Sequence, residues 1–205
     1  MFEDTYKTIK SVSEGIFRDK GSKFIAIAIP VESENQIKDE ISSIKKQYFD
    51  ARHHCYAYIL GPYKDSYRYN DDGEPSSTAG RPIYGQLLSK DITNVLVVVV
   101  RYFGGVKLGV SGLINAYKEA TKAALENAKI IEKTVTENYV VSVDYESVNK
   151  VMQILKADNI QITNQYYEQQ YCIEFSVRLK EADRIISELK KIIRVDLQKN
   201  NPLLQ

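Results

Sequence analysis

Two polar segments and one histidine pair hold the residue types that could do chemistry. Residues 71–86 read DDGEPSSTAGRPIYGQ, which places Asp71, Asp72 and Glu74 beside the hydroxyls of Ser76, Ser77 and Thr78 and close to Arg81. Carboxylates at this density can serve as a general base or as metal ligands. Two readings stand beside each other: a well-bonded loop whose carboxylates Arg81 or backbone N–H groups hold, and the lip of a binding cleft, since polar groups this dense are more than a turn requires. Gly73 and Pro75 suit a tight turn, and Ser76, Ser77 or Thr78 could cap a helix carrying Ile83–Leu88. The second segment runs from Arg101 through Gly104, Gly105, Lys107 and Gly109 to Ser111. It joins an apolar strand to a helix for which Ser111 is the expected N-cap. Free amides, the positive helix end and Lys107 together predict an anion site, with Arg101 leaving the same strand. The spacing Gly104 to Gly109 is that of a nucleotide-binding loop, but Val110 stands where such a loop needs Lys, and no G-x-G-x-x-G occurs.

His53 and His54 are adjacent, so on a strand they point to opposite faces and cannot chelate one metal together. His53 would share a face with Cys55, Ala57 and Ile59, and His54 with Tyr56 and Tyr58. One reads as a satisfied core histidine and the other as a groove residue. A metal held by one His with Asp71, Asp72 or Glu74, and a Cys55–His dyad, stay open as alternatives. No complete catalytic set is visible, and neither a metal nor a cofactor is expected. The groove candidates are therefore His53, His54, Tyr56, Asp71, Asp72, Glu74, Ser76 and Arg81, beside the anion-site set Arg101, Gly104, Gly105, Lys107, Gly109 and Ser111.

The elements that must position these residues follow from periodicity. Tyr6–Phe17 and Phe24–Val31 flank a turn at Asp19–Ser22 and read as a hairpin. Ile37, Ile41, Ile44 and Tyr48 mark a helix, with Glu32 and Glu34 early and Lys45 and Lys46 late, as its dipole prefers. Strands are expected at His53–Leu60 and Tyr67–Asn70. Val95–Val100 lacks alternation and reads as a central strand covered on both faces. Leu113, Ile114, Tyr117, Ala120, Ala124 and Leu125 then fall at helical spacing.

All ten glycines lie between Gly15 and Gly112, so the chain changes style beyond that point. We expect two domains, residues 1–134 and 135–205. In the second, Tyr139–Tyr145 alternates as a strand and Val148, Val151, Met152 and Leu155 form a helical stripe capped by Ser147. Ile160 and Ile162 start another strand, residues 164–170 turn, and Tyr171–Leu179 alternates again. Ala182, Ile185, Ile186 and Leu189 repeat the helical spacing, and Val195 with Leu197 suggests a last strand. The order β-α-β-β-α-β is that of a ferredoxin-like domain. Its outward set of Ser142, Asp144, Cys172, Glu174, Ser176 and Arg178 has no aromatic residue for stacking on bases.

The 205 residues carry 28 Lys+Arg against 27 Asp+Glu, which excludes a chain-wide field for polyanions, so any such binding is local. The longest apolar run, Val95–Val100, is far shorter than the roughly 20 residues of a membrane span. With no signal-like start and two isolated cysteines, Cys55 and Cys172, we expect a cytoplasmic protein with reduced thiols.

Three blocks, ARHHCYAYIL, DDGEPSSTAGRPI and VVVVRYFGGVKLGVSGLINAY, in this order and spacing, resemble the signature blocks of the IMPACT/YigZ family, and the glycine-free tail is similar to the accessory domain of its bacterial members. The resemblance implies an α+β protein of two domains. The N-terminal one is similar to the second domain of a small-subunit ribosomal protein, and the C-terminal ferredoxin-like one to the last domain of elongation factor G. Eukaryotic members of the family look like translation regulators, but they carry an additional N-terminal domain that does not match here. For bacterial members the resemblance brings a nucleic-acid or ribosome link and no reaction. The leading expectation is a translation-associated binding protein whose N-terminal groove meets RNA, the ribosome or a ribosome-linked partner. The alternatives are a hydrolase-like enzyme acting on a small phosphorylated or peptide-like substrate through the Asp71/Asp72/Glu74 loop and the glycine-loop anion site, and a protein-interaction module in stress regulation.

Overall fold

In a computed structural model, residues 4–192 and 196–200 are described; Val195, expected in the last strand, lies outside them. The chain divides into two compact units, one of Thr5–Lys133 and one that begins at Thr134 and takes in Asp4.

The Thr5–Lys133 unit contains β1 (Thr5–Ile9), β2 (Ser13–Asp19), β3 (Ser22–Pro30), α1 (Glu34–Gln47), β4 (His53–Leu60), β5 (Ser66–Asn70), α2 (Gly80–Ser89), β6 (Val95–Tyr102), α3 (Gly109–Glu126) and β7, which starts at Ile130. Five strands form one antiparallel sheet in the order β2-β3-β6-β4-β5. The central strand β6 is inaccessible from Val95 to Val100. Val95, Val97 and Val99 pack with Ile83 and Leu87 of α2 and with Leu113 and Ala120 of α3. Leu96, Val98 and Val100 pack on the other face with Ile37 and Ile44 of α1. A strand covered on both faces has no solvent side to alternate toward, which is why its sequence is uniformly apolar.

The expected first strand is in fact two. The chain leaves the sheet at Lys10–Val12, so β2 alone pairs with β3, while β1 pairs with β7, a strand the periodicity did not predict. The turn between β2 and β3 uses Lys20 and Gly21, both at positive φ, the geometry of a two-residue hairpin loop. Helix α1 is capped by Ser33, whose hydroxyl accepts from the Gln36 amide at 3.2 Å.

In the other unit, β8 (Thr136–Val143), a single 3-10 turn (Tyr145–Ser147), α4 (Val148–Ala157), β9 (Gln161–Tyr167), β10 (Tyr171–Arg178), α5 (Leu179–Leu189) and β11 (Asp196–Asn200) follow one another. The sheet order is β11-β8-β10-β9, antiparallel throughout. Val141, Val143, Ile173, Phe175 and Val177 meet Val151, Leu155, Ala182, Ile185 and Leu189 in its core. Two local expectations change. Ser147 caps nothing with its side chain; instead Asp144 accepts from the Ser147 amide. And β9 runs through residues read as a turn, which sets Tyr166 opposite Cys172 and so places an aromatic ring on the face expected to have none. Asp4 is inaccessible, 2.7 Å from Arg178 Nε and 3.0 Å from Lys180 Nζ, and Arg178 foremost holds its carboxyl well below the usual range. No helix among the described residues is long and apolar enough to cross a membrane.

Candidate functional site

Most of the polar groups between β5 and α2 are engaged in shaping their own loop. Asp71 Oδ1 accepts from the Ala79 and Gly80 amides at 3.0 and 2.8 Å, and Oδ2 from the Ser77 amide at 2.9 Å. It therefore satisfies the start of α2 from eight and nine residues upstream, and the expected hydroxyl cap is absent: Ala79 occupies the cap position, and Thr78 donates to the Pro75 carbonyl instead. Asp72, at a φ of +40°, accepts from the His54 amide at 2.7 Å and from Lys45 at 3.1 Å. Burial pushes the Asp72 carboxyl upward, but the amide and Lys45 outweigh it and hold the group below its ordinary range. Ser76 and Arg81 are exposed, and Arg81 holds none of the loop's carboxylates.

Glu74 alone of the three carboxylates turns inward. Its Oε1 accepts from Arg101 Nη1 at 2.5 Å and from the Tyr117 hydroxyl at 2.8 Å, and both members of the ion pair are more than nine-tenths buried. Behind them Cys55 Sγ lies 3.2 Å from the Tyr117 oxygen and 3.1 Å from the Asp71 carbonyl. Burial pushes the Cys55 thiol and the Tyr117 hydroxyl far up. Cys55 thus stays protonated and faces Tyr117, which removes the Cys–His dyad as a nucleophile.

The two histidines part as their alternation requires. His54 is buried on the α1 side with Nε2 at 3.0 Å from the Tyr48 carbonyl. His53 sits on the opposite face, its Nδ1 2.8 Å from the Asp72 carbonyl. A carbonyl can only accept, so Nδ1 carries the proton and Nε2, 4.0 Å from Glu74 Oε1, faces the cleft. Tyr56 lies on the His54 face among Lys38, Ile41 and Phe49, away from the groove for which it was a candidate.

The loop and the start of α3 meet across a cavity of about 480 Å³. The acidic loop and the strand ends supply Arg52, His53, Gly73, Glu74, Pro75, Arg101 and Phe103 to its lining, and the glycine loop with α3 supplies Lys107, Leu108, Gly109, Val110 and Leu113. The Arg101 guanidinium lies 5.4 Å from the Phe24 ring centre and 5.6 Å from that of Phe103. Its Nε is buried without a hydrogen-bond acceptor. Asp71, Asp72, His54, Tyr56, Ser76 and Arg81 are not brought to the cavity.

Within the glycine loop only part of the expected anion set remains. The Gly104 amide donates to Ser22 Oγ at 3.1 Å, and a Cβ there would come within 1.9 Å of the Gly21 backbone. Gly104 is thus required for packing on the hairpin turn and is not free to hold a ligand. Gly105 and Gly109 adopt φ of +90° and +73°, which other residues enter only at a cost. Helix α3 starts at Gly109, with Leu108 at the cap position and no capping side chain, so Ser111 is not the N-cap but an exposed residue of the first turn. The first-turn amides of a helix have no intrahelical acceptor, and Gly109 and Val110 line the cavity. Arg52, Phe103, Leu108 and Leu113 line the cavity but are not among the site residues the sequence predicts. The period-two rule could have found Phe103, two residues beyond Arg101, whereas Arg52 carried no signal beyond preceding His53. Among the described residues no three His, Cys, Asp or Glu side chains cluster as a metal site would need.

Comparison with known proteins adds an independent line. Residues 20–125 match the family model described as the Impact N-terminal domain. The IMPACT family member YvyE of Bacillus subtilis (strain 168) is 33% identical over 179 residues, covering 87% of this chain and 82% of its own length. The IMPACT family member YigZ of Escherichia coli (strain K12) is 30% identical over 181 residues, covering 87% and 89% respectively. The crystal structure of a protein described as hypothetical is similar over 98% of this chain and 99% of its own, at 25% identity and a TM-score of 0.76.

Proposed function

The chain belongs to the IMPACT family, and from that premise we propose that it is a translation-associated binding protein whose Thr5–Lys133 unit receives an anionic group, a phosphate of RNA or of a ribosome-linked partner. The observation that carries this reading is the charge of one cavity: Arg52, Arg101 and Lys107 line it together with the start of α3, against the single carboxylate of Glu74. Backbone amides and cations converging in a concave site are what phosphate recognition uses. The chain as a whole is nearly neutral, so binding is modest in strength and depends on few contacts.

We further propose two domains, 1–134 and 135–205, the first similar to the second domain of a small-subunit ribosomal protein. The second is treated as ferredoxin-like and similar to the last domain of elongation factor G, which the β-α-β-β-α-β order supports. A cytoplasmic location belongs to the same reading. The test is equilibrium binding to single-stranded RNA and to ribosomes over a range of salt. Lys107→Ala and Arg52→Ala should each weaken binding and make the salt slope shallower by about one contact. Wild-type protein that binds neither RNA nor ribosomes at low salt would remove the reading.

A hydrolase-like reading keeps one observation in its favour, the imidazole of His53 4.0 Å from Glu74 inside the same cavity. Asp71 and Asp72 are already engaged by backbone amides, so Glu74 and His53 would have to act alone. Turnover of a small phosphorylated substrate that is lost in His53→Gln would support it.

A further inference from the structure

We infer that the cavity selects a terminal phosphomonoester on a nucleotide over an internal phosphodiester; this rests on the anion-site reading above and narrows it. Charge matching favours the monoester. Glu74 and Arg101 neutralise one another as a buried pair. Arg52 and Lys107 have no ion-pair partner among the described residues, so two positive charges line the cavity uncompensated. A phosphodiester or a carboxylate supplies one negative charge. A phosphomonoester supplies about −1.5 to −2 near neutral pH, with three terminal oxygens for donors arriving from several directions.

A second observation, independent of the helix terminus, also calls for an acceptor. Arg101 spends Nη1 on Glu74, while its Nε is a buried donor with none. Buried donors are rarely left so, and because Arg101 itself lines the cavity, a group bound there can supply the missing acceptor directly or through a water. The Nε side of a guanidinium is an edge that grips two oxygens of one phosphate.

The attached body follows from the remaining lining. Phe103, Leu108, Val110 and Leu113 are apolar, and Phe103 is half exposed, so its ring is available to stack on a base. A phosphate on the cations and a base on the apolar side chains of the same cavity describe a mononucleotide, whether free or at the end of an RNA chain.

One experiment separates these sources. Affinities of the full-length protein are measured for one short RNA bearing either a 5′-phosphate or a 5′-hydroxyl, and for adenosine 5′-monophosphate. The expected result is binding of the 5′-phosphorylated RNA about ten-fold tighter than of its 5′-hydroxyl twin, with the preference lost in Lys107→Ala. Binding of adenosine 5′-monophosphate without binding of either RNA would uphold the phosphomonoester site and overturn the RNA reading. Equal affinity for the two RNAs would overturn the phosphomonoester inference and leave RNA binding standing. Failure of all three ligands to bind would overturn both.

Discussion

The two loops that border the cavity differ in where their polar groups go. The acidic loop is dense in carboxylates and hydroxyls, yet Asp71 satisfies the start of α2, Asp72 ties β4 to α1 through Lys45, and Thr78 folds back on Pro75. The glycine loop is sparse, yet it brings Lys107 and the first amides of α3 to the cavity without capping them. Density of polar residues therefore marks a demanding backbone, and free donors mark a site. Glu74 is where the two meet, because it leaves the acidic loop to hold Arg101.

Substitutions along the two loops should reproduce that difference, and the largest effect is expected at their junction. Glu74→Ala leaves Arg101 as a buried charge without its partner and should cost about 3–5 kcal/mol of stability in denaturant unfolding. An unchanged midpoint would mean that the pair is not formed. Asp71→Ala should come next, at about 2–3 kcal/mol, because it strips three amides of one charged acceptor. Gly104→Ala drives a methyl into the Gly21 backbone and should cost roughly 1–3 kcal/mol. Gly105→Ala, which meets no neighbour but sits at positive φ, should cost about 1 kcal/mol. Equal losses at the two glycines would contradict the distinction between packing and backbone geometry.

Lys107→Ala should change stability by less than about 0.5 kcal/mol while still weakening RNA binding, the reverse of Asp71→Ala. The smallest effect is on acid sensitivity. The folded protein holds the Asp72 carboxyl below its ordinary range, so its contribution is present above the unfolded value of about 3.9 and fades as pH falls through the lower folded value. The stability gap between wild type and Asp72→Asn should therefore narrow in unfolding curves below about pH 4.

How far the sequence could be read depended on the range of the interaction. The buried run Val95–Val100 and the opposite facing of His53 and His54 are consequences of local period, and both are legible without a structure. Pairing of β1 with β7 joins residues more than a hundred positions apart, and no local pattern encodes it. The cap on α2 was missed because its acceptor is Asp71 and not one of the three hydroxyls beside the helix. Arg52 is not legible because a cavity is made by elements meeting in space and nothing but its place before His53 marks it, whereas Phe103 follows from the alternation beyond Arg101.

On this reading the ligand meets the first-turn amides of α3 in the cavity and leaves the amides of Ser77, Ala79 and Gly80, held by Asp71, untouched. Amide NMR of the protein titrated with 5′-phosphorylated RNA tests it most directly. The signals of Gly109 and Val110 should shift and saturate while those of Ser77, Ala79 and Gly80, already held by Asp71, stay in place. Saturating shifts confined to Ser77–Gly80, or to the Phe49 and Tyr56 surface on the other face of the sheet, would contradict it.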